Sequence, residues 1–249
     1  MAAEGDVIEA RSSFLKKRHT NLDFLLRCRY AWMNDYLQDH WNVVEIGAGA
    51  GFSEFYLKVR PTMTDVVKNP WIDRVLNATQ MDMESQSVDC IIASHNIHHF
   101  ASPYSFFKEC ERVLRPGGLI LIQEINTSLL MRLMLRLMRH EGWSYEVNVF
   151  DEKTIVNDPR DPWSANCATP ELLFEQTELF QRAFKNLRIL LNKKNEGLIF
   201  PLSGGVIAKA TTPELPVWIL RTIKAMDEAL ISILPNVFAL GRSVVLQKS

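Results

Sequence analysis

No run of apolar residues in this chain approaches the length of a membrane span, which needs about 20 of them in a helix. The opening segment MAAEGDVIEA has no basic region followed by a long apolar stretch, so no export signal is expected and the chain reads as cytoplasmic. Cysteine is scarce. Cys28, Cys90, Cys110 and Cys167 stand far apart and form no C-x-x-C pair, which argues against a disulfide framework and a zinc ribbon alike. Excess charge of one sign is also missing. With 28 basic and 29 acidic residues there is no global field to draw the chain to nucleic acid, and no such partner is expected. Internal repeats and low-complexity segments are absent. What is present is 249 residues of 47% hydrophobic composition, enough for one large domain with a sizeable core.

The stretch Trp41 to Leu57, WNVVEIGAGAGFSEFYL, reads as strand, tight turn, helix. Val43, Val44 and Ile46 suit a buried strand. Gly47, Gly49 and Gly51 let the backbone turn sharply and lie against a ligand. A dinucleotide fingerprint requires G-x-G-x-x-G. Here the third glycine comes one residue early and Phe52 takes its place, which counts against a nicotinamide-dependent oxidoreductase. A tight β-α turn with no ligand would carry the same glycines.

Ahead of this stretch, residues 8–40 carry apolar positions at helical spacing and predict one or two helices. Behind it, a helix Ser53 to Lys58 is expected to stop at Arg60-Pro61, and Thr62 to Val67 reads as a second strand with Asp65 near its end. A carboxylate there can accept hydrogen bonds from a ribose, or it can simply cap a turn. Asp73 to Ala78 suggests a short third strand, Ser87 to Ser94 a fourth. Residues 104–114 predict a helix, and Leu119 to Ile122 a continuous apolar strand. Arg115-Pro116-Gly117-Gly118 between them is expected to end the helix and reverse the chain.

These marks in this order resemble the class I S-adenosylmethionine (SAM) dependent methyltransferases, and in particular a bacterial type 11 subgroup. The resemblance rests on the acid Glu45 before the three alternating glycines, on Asp65, on Asn77-Ala78, on the run from Asp89 to His99, and on R-P-G-G. It implies a doubly wound, Rossmann-like α/β sheet of seven strands with a helical cap, in one domain spanning 1–249. Residues 1–40 would supply N-terminal helices, 41–126 the cofactor-binding core, and 127–249 the acceptor side. It implies SAM as cofactor, with Glu45, Gly47, Gly49, Gly51, Asp65, Asn77, Ala78, Ser94 and His95 as cofactor contacts. Asn77 stands where the family usually has Asp, and its neutral oxygen is a weaker acceptor for an adenine amino group.

Adjacent His98 and His99 raise the question of a metal. No third ligand stands at matching spacing in the sequence, so none is expected. His99, His140 and Glu141 are the candidates for a general base, imidazole because it titrates near neutrality and a carboxylate because it can orient it. The function expected is O-methylation, or N-methylation, of a small-molecule, sugar or lipid-linked acceptor. The alternative is a catalytically silent SAM-fold binding partner. Residues 129–138 predict an amphipathic helix whose Leu129, Leu130, Leu133, Met134, Leu137 and Met138 stripe faces the core, with Arg132, Arg136 and Arg139 in solvent; contact with a membrane surface is the other reading. The irregular stretch 144–170, with Trp163 to Asn166, suits an acceptor-binding loop. A helix Glu171 to Phe184, a strand Leu187 to Leu191, a helix Pro213 to Leu234 and a closing strand from Gly241 complete the reading.

Overall fold

The computed structural model describes residues 6–138, 141–207 and 210–249. Seven strands form one sheet: β1 (Val43–Ile46), β2 (Thr62–Asp65), β3 (Arg74–Val75), β4 (Val88–Ser94), β5 (Leu114–Ile125), β6 (Leu187–Asn195) and β7 (Gly241–Lys248). Their order is β3-β2-β1-β4-β5-β7-β6, parallel except for β7, which runs antiparallel to both its neighbours. The chain leaves β1 toward β2 and returns on its other side at β4, so the order reverses there. That reversal opens a crevice at the carboxyl ends of the strands.

The central strands β1, β4, β5 and β7 carry apolar residues on both faces because both are covered. Val44, Ile46, Ile91, Ile120, Ile122 and Val244 pack into one buried cluster with α3 (Pro103–Val113), α5 (Thr169–Glu175) and α6 (Thr177–Ala183). The alternating residues Val43, Cys90, Ile92, Leu121 and Val245 pack against α1 (Val7–Lys16) and α2 (Thr20–Ala31). The remaining helices are α4 (Leu129–Met138), α7 (Ile199–Leu202), α8 (Val217–Ile233) and α9 (Pro235–Phe238). Among the described residues, no helix is long and apolar enough to cross a membrane.

Several local expectations need correction. The helix after the glycine turn is a single 3-10 turn, Phe52–Phe55. Asn34 stops it by donating to the Tyr56 carbonyl and accepting from the Lys58 amide, while Phe52 is drawn into the core against Phe14 at 4.8 Å. Strand β3 is only two residues long. R-P-G-G does not make a separate turn: β5 already begins at Leu114, and the four residues bulge out opposite Asp89. The helix expected over 171–184 breaks at Gln176 into α5 and α6.

The buried face of α4 is rotated from expectation: Leu130 and Met134 pack on the core as expected, but beside Met131 and Leu135 rather than beside Leu133 and Leu137. Met131 and Leu135 are buried, whereas Leu129, Leu133, Leu137 and Met138 are each more than half exposed. The cause lies in the arginines. Arg132 donates to the Thr127 carbonyl and the Tyr145 hydroxyl, and Arg136 lies over the Trp143 ring at 5.4 Å. Two aromatic residues thus hold Arg132 and Arg136 along the protein, and Leu129, Leu133 and Leu137 turn outward; Arg139 lies outside the described residues.

Candidate active site

Gly47, Gly49 and Gly51 all adopt the left-handed backbone, φ +60°, +53° and +65°. Their surroundings differ. A Cβ on Gly47 would lie 2.8 Å from Asn96 Nδ2, and one on Gly51 2.7 Å from Trp71 Cδ1, whereas one on Gly49 meets nothing within 4 Å. Only Gly49 faces open space. Trp71 and Arg11 hold the turn from outside: the indole donates to the Gly49 carbonyl at 2.8 Å, and the guanidinium to the carbonyls of Ala50 and Gly51 at 2.8 and 3.0 Å.

Glu45 is buried beneath this turn and accepts a hydrogen bond from Ser53. Burial pushes its carboxyl up to about 8, with Asp65 and Glu54 adding to the rise against the Ser53 hydrogen bond. Asp65, at the end of β2, ties strand to turn: one oxygen accepts from the Gly49 amide and the other from the Val67 amide, both at 2.9 Å. Each oxygen keeps a second lone pair for a ligand hydroxyl. Asn77 is committed differently. Its Oδ1 takes both the amide and the hydroxyl of Thr79, at 2.9 and 2.8 Å, so an adenine amino group would have to displace one of them. Ala78 beside it is buried.

Ser94 closes β4, and His95 follows in the left-handed region, φ +52°. The His95 imidazole Nε2 is closed off from solvent and has no hydrogen-bond partner. Burial, with Arg29 and the two following histidines, holds it well below the usual histidine range, so the ring is neutral. Three left-handed glycines with one open flank, two half-used carboxylate oxygens and an orphaned imidazole nitrogen together suit a nucleoside ligand with a polar tail.

Beyond His95 the chain makes a 3-10 turn, Ile97–His99, built around Glu124. This carboxylate interrupts the apolar run of β5 and is fully buried. One oxygen accepts from the amides of Asn96 and Ile97, at 2.7 and 2.6 Å; the other from His98 Nδ1 at 2.7 Å and from its neighbour's amide at 3.0 Å. Burial alone would raise Glu124, but the adjacent His98 and the amides of Ile125 and Ile97 hold it below the carboxylate range. Likewise burial would lower His98, yet Glu124 and then Glu141 bring it up to about 9. The pair is ionic at neutral pH.

His99 turns the other way. Its Nδ1 lies 3.2 Å from the Ser164 carbonyl, an acceptor only, so this nitrogen carries the hydrogen and Nε2 presents a lone pair. Burial and the charge of His98 lower it to about 4, against Glu141. Glu141 closes the group: its carboxylate oxygens stand 3.7 Å from His98 Nε2 and 3.8 Å from His99 Nε2. The Cys167 thiol donates to it at 3.2 Å. The loop that carries Ser164 is pinned to the histidine turn, since Asn157 Nδ2 and the Asn166 amide both donate to the His98 carbonyl, at 2.8 and 2.9 Å.

Of the sequence candidates, Glu45, the glycines, Asp65, Ser94 and His95 therefore gather at the carboxyl ends of β1, β2 and β4. His99 and Glu141 meet one turn further on. His140 lies outside the described residues. Sequence reasoning missed Trp71, Arg11, Asn96, Cys167 and Glu124; only Glu124 left a readable trace, as a charge inside an apolar strand. A cavity of about 960 Å³ opens to the side, lined by Leu25, Trp32, Glu196, Lys224 and Arg242. It lies between α2, α8 and strands β6 and β7. The glycine turn is the better candidate for chemistry, because the strained backbone and the shifted ionisable groups are there.

A family model described as a methyltransferase domain matches residues 44–122, the stretch from β1 into β5 that holds the glycines, Asp65 and the histidine turn. The match to a methyltransferase domain is confined to this segment, about a third of the chain. Solved structures share the fold along nearly the whole length. A SAM-dependent methyltransferase from Archaeoglobus fulgidus superimposes with a TM-score of 0.55 at 14% identity, covering 96% of this chain and 98% of that one. A SAM-dependent methyltransferase, possible histamine N-methyltransferase, from Thermotoga maritima gives 0.51 at 16% identity, covering 97% and 99%. No curated protein matches the chain. As a methyltransferase domain, this segment takes SAM as its cofactor.

Proposed function

We propose that this methyltransferase transfers a methyl group to a hydroxyl oxygen of a small-molecule, sugar or lipid-linked acceptor, within one domain of which 41–126 form the cofactor side and 127–249 the acceptor side. The observation that carries the reading is the convergence of the His99 Nε2 lone pair and the Glu141 carboxylate one turn beyond Asn96, the residue packed on Gly47. The glycine turn, Asp65, Ser94, His95 and Ala78, with Asn77 through a rearranged Thr79 contact, would hold SAM. When bound, SAM supplies a methyl group already activated by its sulfonium, so alignment provides much of the acceleration.

The chain's own task is to place the acceptor oxygen and receive its proton. An amine can attack once it is neutral, whereas an alcohol gains from a base at the moment of attack. A built proton-accepting group therefore favours oxygen. The exposed leucines of α4, which ends three residues before Glu141, offer an apolar acceptor or its lipid anchor, and a membrane surface, a place to rest.

The test is labelled SAM against matched panels of alcohols and amines, with wild type, His99→Ala and Glu141→Gln. An O-methyl product is expected, with turnover in the variants down by roughly 100- to 10,000-fold and SAM affinity unchanged. Methylation of amines alone, or undiminished turnover in both variants, would sink the reading. The filled Asn77 oxygen and the cover of Trp71 and Arg11 favour a second one, a silent SAM-fold partner. That reading requires that S-adenosylhomocysteine (SAH) fail to bind.

A further inference from the structure

We propose that His98 Nε2, His99 Nε2 and the Glu141 carboxylate bind a divalent first-row transition-metal ion, zinc first among them. The three donor atoms lie within 4.8 Å of one another, and the two nitrogen-to-oxygen separations are 3.7 and 3.8 Å. That spacing is too long for a direct hydrogen bond. It is close to the edge of a coordination polyhedron: two donors each ~2.1 Å from a tetrahedral zinc ion lie roughly 3.4 Å apart. The two separations end on different oxygens of the carboxylate, so the ion would draw the glutamate and the imidazoles together on binding.

The atoms behind the donors argue the same way. Imidazoles that bind metals hold their second nitrogen on a carboxylate or a carbonyl, which fixes the tautomer and aims the lone pair. Here both do so, His98 through Nδ1 on Glu124 at 2.7 Å and His99 through Nδ1 on the Ser164 carbonyl at 3.2 Å. The third donor is braced as well, by the Cys167 thiol on Glu141 at 3.2 Å. A loop anchor alone would account for His98 and Glu124.

Two imidazoles and one carboxylate form a donor set of intermediate softness, suited to zinc or iron(II) rather than to magnesium or calcium. Three protein donors leave at least one position open for water or an acceptor oxygen. The ion can enter, because the His99 and Glu141 side chains are 20% and 14% exposed. On binding it displaces the proton of His98 Nε2 to solvent, while the Nδ1 hydrogen stays on the imidazole and is donated to Glu124. The site stands on this geometry alone. With the ion bound, His99 and Glu141 no longer receive the proton; the ion would instead polarise the acceptor hydroxyl and ease its loss of a proton to solvent, a use that rests on the choice of an oxygen acceptor above.

The experiment is titration of the EDTA-stripped full chain with Co2+, followed by its visible ligand-field band, and with Zn2+ in competition. One equivalent of Co2+ bound at micromolar concentration or tighter is expected, with the band lost in both His99→Gln and Glu141→Gln. Glu124→Gln, which keeps every donor but weakens the brace, should bind roughly 10- to 100-fold more weakly. Circular dichroism checks that each variant is folded. Absence of a stoichiometric band in wild type, or a wild-type band in both donor variants, overturns the site. SAH calorimetry on the same samples reads the methyl-transfer reading separately: a chain that binds SAH but no Co2+ loses the metal site alone.

Discussion

Replacing the three glycines of the turn one at a time by alanine separates ligand approach from folding. All three lie near φ +60°, where an L-residue costs about 1–2 kcal/mol. At Gly49 that is the whole cost to stability, because the new Cβ meets nothing within 4 Å. At Gly51 the Cβ would sit 2.7 Å from Trp71 Cδ1 and 3.0 Å from Arg11 Nη1, and at Gly47 2.8 Å from Asn96 Nδ2. Overpacking of that kind adds about 1–3 kcal/mol, so these variants should lose about 2–5 kcal/mol each. Binding should follow the reverse order of interest. If the open flank of Gly49 is where the cofactor lies, a methyl group there costs the complex a similar 1–3 kcal/mol, roughly a 5- to 150-fold loss of SAH affinity. Urea denaturation and calorimetry on the same preparations give both numbers. A folded Gly49→Ala that binds SAH as wild type does would refute the placement. So would a Gly49→Ala as unstable as Gly51→Ala.

Three further outcomes follow from buried charge and burial. Glu45 is held up to about 8 in the folded chain, so the folded state keeps its proton while the unfolded state loses it above about 4.5. Stability must therefore fall as pH rises from 5 to 8, by up to about 1.4 kcal/mol per unit, and level off above that. Subtracting the pH profile of Glu45→Gln isolates this share, and identical profiles would contradict it. Arg29 and Glu196 form a bidentate pair at 2.8 and 2.7 Å with side chains 4% and 8% exposed. Arg29→Met should cost about 3–5 kcal/mol by stranding the carboxylate, and Arg29→Met with Glu196→Leu should recover most of it in denaturation. Finally, Cys90, Cys110 and Cys167 are buried, with their thiols raised by that burial, while Cys28 is partly exposed and raised to about 11. Thiol titration of the native chain should modify Cys28 alone, slowly, and prompt labelling of a second cysteine would show the core to be looser than described.

The sequence carried the frame of this fold because strands buried on both faces are mostly apolar runs: Val43 to Ile46 and Val88 to Ala93, each with one carboxylate, and the unbroken Leu119 to Ile122. It carried the glycine turn because only glycine takes three left-handed positions in five residues without strain. It failed where distant contacts decide. The turn after Gly51 is short because Asn34, from the N-terminal region, caps it. Which side of α4 is buried depends on Trp143 and Tyr145, and periodicity alone cannot choose between two faces when long arginines can lie over rings. The active-site cluster was half legible. His98-His99 stood out, but the third member, Glu141, arrives through a loop pinned by Asn157 and Asn166, and no local spacing reports such a meeting. Glu124 was the one missed residue with a local signal, a carboxylate in a core strand whose cost demands a buried partner.

The central claim, that the crevice at β1 and β4 is a SAM site rather than a closed turn or a nicotinamide site, is tested most directly by calorimetric titration of the intact chain with SAH and with NADH. The account predicts one SAH bound per chain with micromolar affinity, about −8 kcal/mol, and no heat from NADH. Silence toward SAH, or binding of NADH, would contradict it.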